Sequence, residues 1–246
     1  MKIDFHFHIL LAKKATFNIV YFNKIIAQAN KRGLDAICMT EHFNAVHFED
    51  MYAQLEKTYD YNGHYFDVNG FKVFTGMEVD ICEQGHIVIV GHKDNILALR
   101  HTLLTKYEQF PTLSQLLDEA EKYPVLKIGA HPYREGRKLI KLRPSLLSRL
   151  DAFDLNGKDI HLRKDVERFA TYIGLPLVGG SDTHHYTQAG VIVNQFEVEC
   201  ETVDEILQAI KNHQYQIKVN PFIKLKVFRA KWTKKYIKKF KLNHTA

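Results

Sequence analysis

The sequence predicts an α/β barrel, and three observations carry that prediction. Short, β-rich apolar runs alternate with longer amphipathic segments along the 246 residues. About seven strand–helix units recur, a number that suits a sheet closed on itself with helices outside. Histidines and carboxylates gather just after the strands, on the face where barrel proteins build their sites.

Taken in order, strands are predicted over 2–6, 35–40, 72–78, 86–91, 125–130, 152–155, 177–180 and 191–197. Helices are predicted over 19–32, 47–61, 112–122, 144–149, 159–173 and 202–212. Thr112 and Thr202 are each followed three residues later by Gln115 and Glu205, the pattern of a reciprocal helix cap. His6 and His8 close the first strand, Glu41 and His42 follow the second, and Glu78 ends the third. His131 follows the run 125–130, and Asp182 and His184 follow 177–180. His86 opens its strand, so it can join the others only through a local reversal of chain direction.

Composition narrows the class. With 46% hydrophobic and 25% charged residues, the chain is neither disordered nor low in complexity. Three separated cysteines, Cys38, Cys82 and Cys200, do not make a disulfide scaffold and point to a reducing, cytoplasmic setting. The start lacks an apolar signal core, and no apolar run approaches the ~18 residues of a membrane helix. The net charge of +6 is unevenly spread: residues 214–246 carry ten Lys/Arg and no Asp/Glu, which leaves residues 1–213 at −4.

The sharpest local signal is His6-Phe7-His8. Alternation along a strand points both imidazoles the same way, about 7 Å apart, where they can share a metal ion. Two solvated histidines at a strand end would look the same. The wider pattern goes further. His6-Phe7-His8, Thr40-Glu41-His42, Gly76-Met77-Glu78, His86 with its strand, Ala130-His131-Pro132 and Ser181-Asp182-Thr183-His184 occur in that order. Together they resemble the motifs of the PHP family, named for its polymerase and histidinol phosphatase members, from about residue 2 to about residue 220.

The resemblance implies a distorted (β/α)7 TIM-like barrel with two or three divalent transition-metal ions, Zn, Mn or Fe. By that resemblance His6, His8, Glu78 and Asp182 hold one ion, and Glu78 bridges to a second held by His86 and His131. His42 and His184 reach a third. Two departures weaken the third site: residues 9–14 offer no ligand, and Glu41 stands where the family has Asp. The implied activity is hydrolysis of a phosphate ester, a monoester or small diester, by a metal-bridging hydroxide. Arg134 is then expected to clamp phosphate oxygens, and His185 to donate a proton or touch substrate. An amidohydrolase-type hydrolase is the alternative, although Lys127 is poorly placed as its bridging lysine; a non-catalytic metal- or ligand-binding protein is another.

Residues 1–220 are expected to form the barrel and 221–246 a basic amphipathic helix. Phe222, Leu225, Phe228, Trp232 and Tyr236 recur at helical spacing among lysines. The expectation is that this helix packs on the barrel through Phe228 and Trp232, with Lys234, Lys235, Lys238 and Lys239 in water. A nucleic-acid or membrane-surface role for the tail stays open, with no motif to support it. The sequence does not indicate an oligomeric state.

Overall fold

The computed structural model describes residues 1–137 and 139–240, without the side chains of residue 231 and residues 234–240. The first half runs β1 (Lys2–Phe7), α1 (Ile19–Lys31), β2 (Ala36–His42), α2 (Phe48–Thr58), β3 (Asp60–Tyr61), β4 (Tyr65–Val68), β5 (Phe71–Ile81), β6 (Gly85–Gly91), α3 (Lys93–Lys106) and α4 (Leu113–Ala120). The second half runs β7 (Val125–Ala130), α5 (Pro144–Leu147), β8 (Ala152–Asn156), α6 (Arg163–Ile173), β9 (Leu177–Gly180), β10 (Ile192–Phe196), α7 (Val203–Lys211), β11 (Tyr215–Val219) and α8 (Ile223–Phe240).

The main sheet has the order β11-β10-β1-β2-β5-β6-β7-β8-β9. It curls until its two ends nearly meet. Phe7 bridges Thr183, the His8 N–H donates to Thr183 O at 2.8 Å, and the Asp182 N–H donates to His6 O at 2.8 Å. Asn194 stitches the same seam lower down: its amide accepts from Gly179 N at 2.6 Å and donates to Ile3 O and Gly179 O. The result is the nearly closed α/β barrel that the sequence predicts.

The sheet is mixed, not parallel throughout. β6 runs antiparallel to both β5 and β7. Only residues 82–84 separate β5 from β6, too few for a parallel crossover, which takes about a dozen or more residues. A hairpin is the only solution, and Gln84 takes a left-handed φ of 60° within it. This is the reversal His86 needs.

Two apolar layers hold the barrel. Phe22 and Ile25 of α1, Met51 and Leu55 of α2, and Leu99 and Leu103 of α3 pack on outward strand residues such as Ile37 and Met39. Inward residues Ile3, Phe5, Cys38, Phe74, Val88, Leu126 and Val178 form a second cluster with Ile206 and Ile210 of α7. Both predicted caps, Thr112 with Gln115 and Thr202 with Glu205, form fully.

Strands β3, β4 and β11 are not among the predicted strands, β3 falling at the end of the predicted helix 47–61, and three further elements depart from the sequence reading. The helix α3 is unanticipated, because Arg100 occupies its buried face among Ile96, Leu99 and Leu103 and breaks the apolar stripe. The predicted helix 159–173 begins as a 3-10 turn over Gly157–Leu162, and α6 starts only at Arg163. The third concerns α8, which buries Ile223, Val227 and Ala230, whereas Phe228 and Trp232 are 58% and 67% exposed. Ile223 and Val227 pack with Leu155, Val191 and Ile192. The four lysines expected in water fall outside the described side chains. No helix of the described residues is long and apolar enough to cross a membrane.

Candidate metal centre

The first strand aims two histidines at the barrel mouth. A register shift between Asp4 and Phe7 against β2 marks a bulge, a device that re-aims side chains beside functional sites. Beyond it Phe7 turns outward into the helix-facing core, while His6 and His8 turn inward. The hairpin after β5 sets Asp80 opposite His86. His131 and Asp182 sit just past β7 and β9 with left-handed φ values of 34° and 51°. Such conformations in non-glycine residues carry strain and persist only where neighbours enforce them. Gln188 does so for Asp182, donating to Ser181 O at 2.6 Å and to Asp182 O at 3.1 Å.

All eight residues expected as ligands meet at this mouth, with Glu78 at the hub. Its Oε1 lies 2.6 Å from His86 Nδ1, 3.1 Å from His131 Nε2 and 3.3 Å from His6 Nε2. Its Oε2 lies 3.0 Å from His42 Nδ1 and 3.4 Å from His8 Nε2. Asp182 Oδ1 is 3.6 Å from His8 Nε2 and 3.2 Å from His184 Nδ1. Nearly everything here is buried, Glu78 at 2% exposure.

Charge follows from that crowding. Burial works against the Glu78 carboxylate, yet His86 and His6, with hydrogen bonds from His131 and His42, hold its pKa well below the usual range. Burial likewise opposes ionised Asp182, and Lys158 and Arg134 overturn it. Burial disfavours a charged His6, but Glu78 and Asp154 lift its pKa to about 10. Burial, reinforced by Arg134, pushes His131 down to about 3.

The donor set fits divalent transition metals. Three groups have ligand atoms mutually within 4.8 Å: His6, Glu78 and His131; His6, His8 and Asp182; and His8, His42 and His184. Imidazole nitrogens approach each other at 3.2 Å in two places, His6 with His8 and His86 with His131. Imidazole nitrogens converging in this way suit a shared cation, whose binding would release the proton His6 otherwise holds, and mixed imidazole–carboxylate sets suit Zn, Mn or Fe. His131 Nδ1 is buried without a hydrogen-bond partner among the described residues.

Arg134 and His185, expected to touch substrate, lie beside this cluster. Arg134 is tied on three sides: Nε to Asp159 at 2.7 Å, Nη2 to Asn156 at 2.8 Å and Nη1 to Asp182 at 2.8 Å. His185 is buried in the turn that follows Asp182, with Nδ1 2.9 Å from Thr187 Oγ1 and its ring against Tyr186. Sequence reasoning missed a supporting ring of residues. Asp154 accepts from His6 Nδ1 at 2.9 Å, Glu41 lies 3.2 Å from His8 Nδ1, and Asp80 lies 2.8 Å from His86 Nε2. It also missed Lys158, whose Nζ is 2.7 Å from Asp182 Oδ1 and 3.3 Å from His184 Nδ1. A cavity of about 510 Å³, lined by Tyr133, Arg134, Lys158, Asp159 and His161 among others, opens beside these cations. The available signals were an aspartate inside the apolar run 152–155 and the Asn156-Gly157-Lys158 segment at its end.

Known proteins share this arrangement of chain. A PolC-type DNA polymerase III of Latilactobacillus sakei is 29% identical over 135 residues, which cover 55% of this chain but 8% of the polymerase. The chain thus spans a small fraction of that relative. Among solved structures, PsfC from Pseudomonas syringae PB-5123 superposes with a TM-score of 0.83 at 22% identity, over 96% of this chain and 98% of PsfC. The lesion-specific endonuclease Q of Pyrococcus furiosus gives 0.67 at 21% identity, over 88% of this chain and 58% of its own. The PHP domain matches residues 5–221, nearly the whole barrel, and the chain belongs to that family.

Proposed function

We propose that this protein is a metal-dependent hydrolase of phosphate esters, acting on a small monoester or diester. One observation carries the reading: both oxygens of the buried Glu78 carboxylate are engaged, by different histidines. A carboxylate with both oxygens among histidines could be shared between two cations. Divalent ions held there supply Lewis acidity and a nucleophile active near neutral pH. His6, His8, Glu78 and Asp182 are assigned to one ion, Glu78, His86 and His131 to a second, and His42 with His184 to a third that His8 completes.

The chain's own groups do the positioning. Asp154 and Glu41 fix the orientation of His6 and His8, so their Nε2 atoms face inward. Arg134 and Lys158 border the cavity, and cations at that rim suit phosphate oxygens. Asp159 and Asn156 hold the Arg134 guanidinium in place, which makes it a pre-oriented clamp. His185, enclosed in its turn, is assigned to shaping the Asp182 loop and not to touching substrate. The reading places hydrolysis in residues 1–220, gives 221–246 a separate role, and suits a reducing cytoplasm, given three free cysteines. Lys127, the one lysine considered for an amidohydrolase bridge, pairs with Asp151 at 3.1 Å instead.

The test combines elemental analysis with turnover of p-nitrophenyl phosphate, its bis ester and a cyclic amide. We expect about two ions per chain and release of nitrophenol that a chelator abolishes. Glu78→Gln should lower both metal content and turnover. Metal content and hydrolysis unchanged by that substitution, or activity confined to the amide, would overturn the proposal.

A further inference from the structure

The helix α8 carries two apolar faces, and the barrel uses only one. Ile223, Val227 and Ala230, at i, i+4 and i+7, are buried. On the opposite side Leu225, Phe228 and Trp232 recur at spacings of three and four, with Phe222 in the turn just before the helix; Phe222, Leu225, Phe228 and Trp232 are 66%, 57%, 58% and 67% exposed. Phe228 and Trp232 lie with ring centroids 6.2 Å apart. Lys224 and Arg229 are exposed beside them. Four large apolar side chains in one stripe exceed the scattered exposure normal for a surface, and such a patch marks a contact.

We propose that this outer face of α8 docks the protein on an anionic lipid bilayer. The charge distribution selects the partner. Residues 214–246 hold ten basic and no acidic residues, while the rest of the chain is net negative. A second copy offering the same face would bring like charges together, so self-pairing is disfavoured. A nucleic acid would satisfy the cations and could stack on the aromatics but offers no aliphatic layer for Leu225. A bilayer surface offers both: acyl chains for Leu, Phe and Trp at the headgroup boundary, and anionic lipids worth about 1 kcal/mol per nearby Lys or Arg. The acidic body would orient away from the membrane. This inference is independent of the hydrolytic reading.

Trp232 is the only tryptophan in the chain, so its emission reports on this face alone. The experiment titrates the full chain with phosphatidylcholine vesicles with and without about 30% phosphatidylserine, and follows emission and co-sedimentation. We expect a blue shift and sedimentation with anionic vesicles only. Both should weaken when salt rises from about 0.1 M to about 1 M, which cuts the screening length from about 10 Å to about 3 Å. Leu225→Ser with Phe228→Ser should weaken vesicle binding about tenfold and leave melting unchanged, since both side chains are exposed. Glu78→Gln should bind vesicles like the parent, which separates this test from that of the hydrolase. Emission unmoved by anionic vesicles, or a double variant that binds equally well, would overturn the proposal. So would a shift produced by a poly-dT oligonucleotide but not by vesicles, or by concentrating the protein alone.

Discussion

An imidazole that binds a cation through one nitrogen must do something with the other, and here the other nitrogen meets a carboxylate in three cases. Asp154 serves His6, Glu41 serves His8 and Asp80 serves His86. Such partners set the tautomer and the ring plane, and losing one typically costs about 10- to 100-fold in metal affinity. Asp154→Asn keeps the shape but can no longer accept as an anion. We expect it to release metal at a chelator concentration at least about tenfold below that needed for the parent, measured by equilibrium dialysis. Equal retention would show that His6 is oriented by the bulge alone. The histidines themselves were legible, because His-x-His on a strand has a fixed geometric meaning. Asp154 was not: its partner lies 148 residues away, and a single acid in an apolar run looks like a strand end.

At the level of elements, the β5–β6 hairpin decides where His86 ends up. The clue was in the sequence, since the predicted strands 72–78 and 86–91 leave no room for a parallel crossover. Inside β5, Gly76 allows close packing: a Cβ there would meet Ile89 O at 2.5 Å. Backbone cannot step aside as a side chain can, so Gly76→Ala should destabilise by about 1–3 kcal/mol, read as a lower urea midpoint. The helix α3 was hidden from periodicity by a functional-looking charge with a structural role. Arg100 donates from Nε to Phe43 O at 2.7 Å and from Nη1 to Glu49 at 2.6 Å, over the Phe48 ring. Arg100→Met fills the space but leaves the buried Phe43 carbonyl unpaired, a cost of about 1–3 kcal/mol. Thermal melting should fall by roughly 2–10 °C for a chain of this size, while metal content stays as in the parent.

For the molecule as a whole, α8 covers Leu155, Val191 and Ile192 through Ile223 and Val227. A chain ending at Asn220 would expose that surface. Two branched aliphatic side chains, at about 1.5–3 kcal/mol each when fully buried, set the scale of the loss. We expect a melting temperature lower by roughly 5–15 °C, with the far-UV spectrum of the barrel retained; an unchanged melting temperature would mean that α8 is held by nothing the fold needs. The acidic body and basic tail were visible in composition. Which face of α8 packs was not, because the larger residues form the more conspicuous stripe.

The seam between β1 and β9 also sets an order of events during synthesis. His6 and His8 leave the ribosome well before their backbone partners, Asp182 and Thr183. Elongation at about 5–20 residues per second separates the two segments by roughly 10–35 s. During that interval the first histidines have neither the strand that closes the barrel nor the aspartate that faces them. The complete ligand set therefore exists only after most of the chain has emerged. A chain stalled before residue 180 presents His6 and His8 without Asp182 and Thr183, the backbone partners that close the barrel around them.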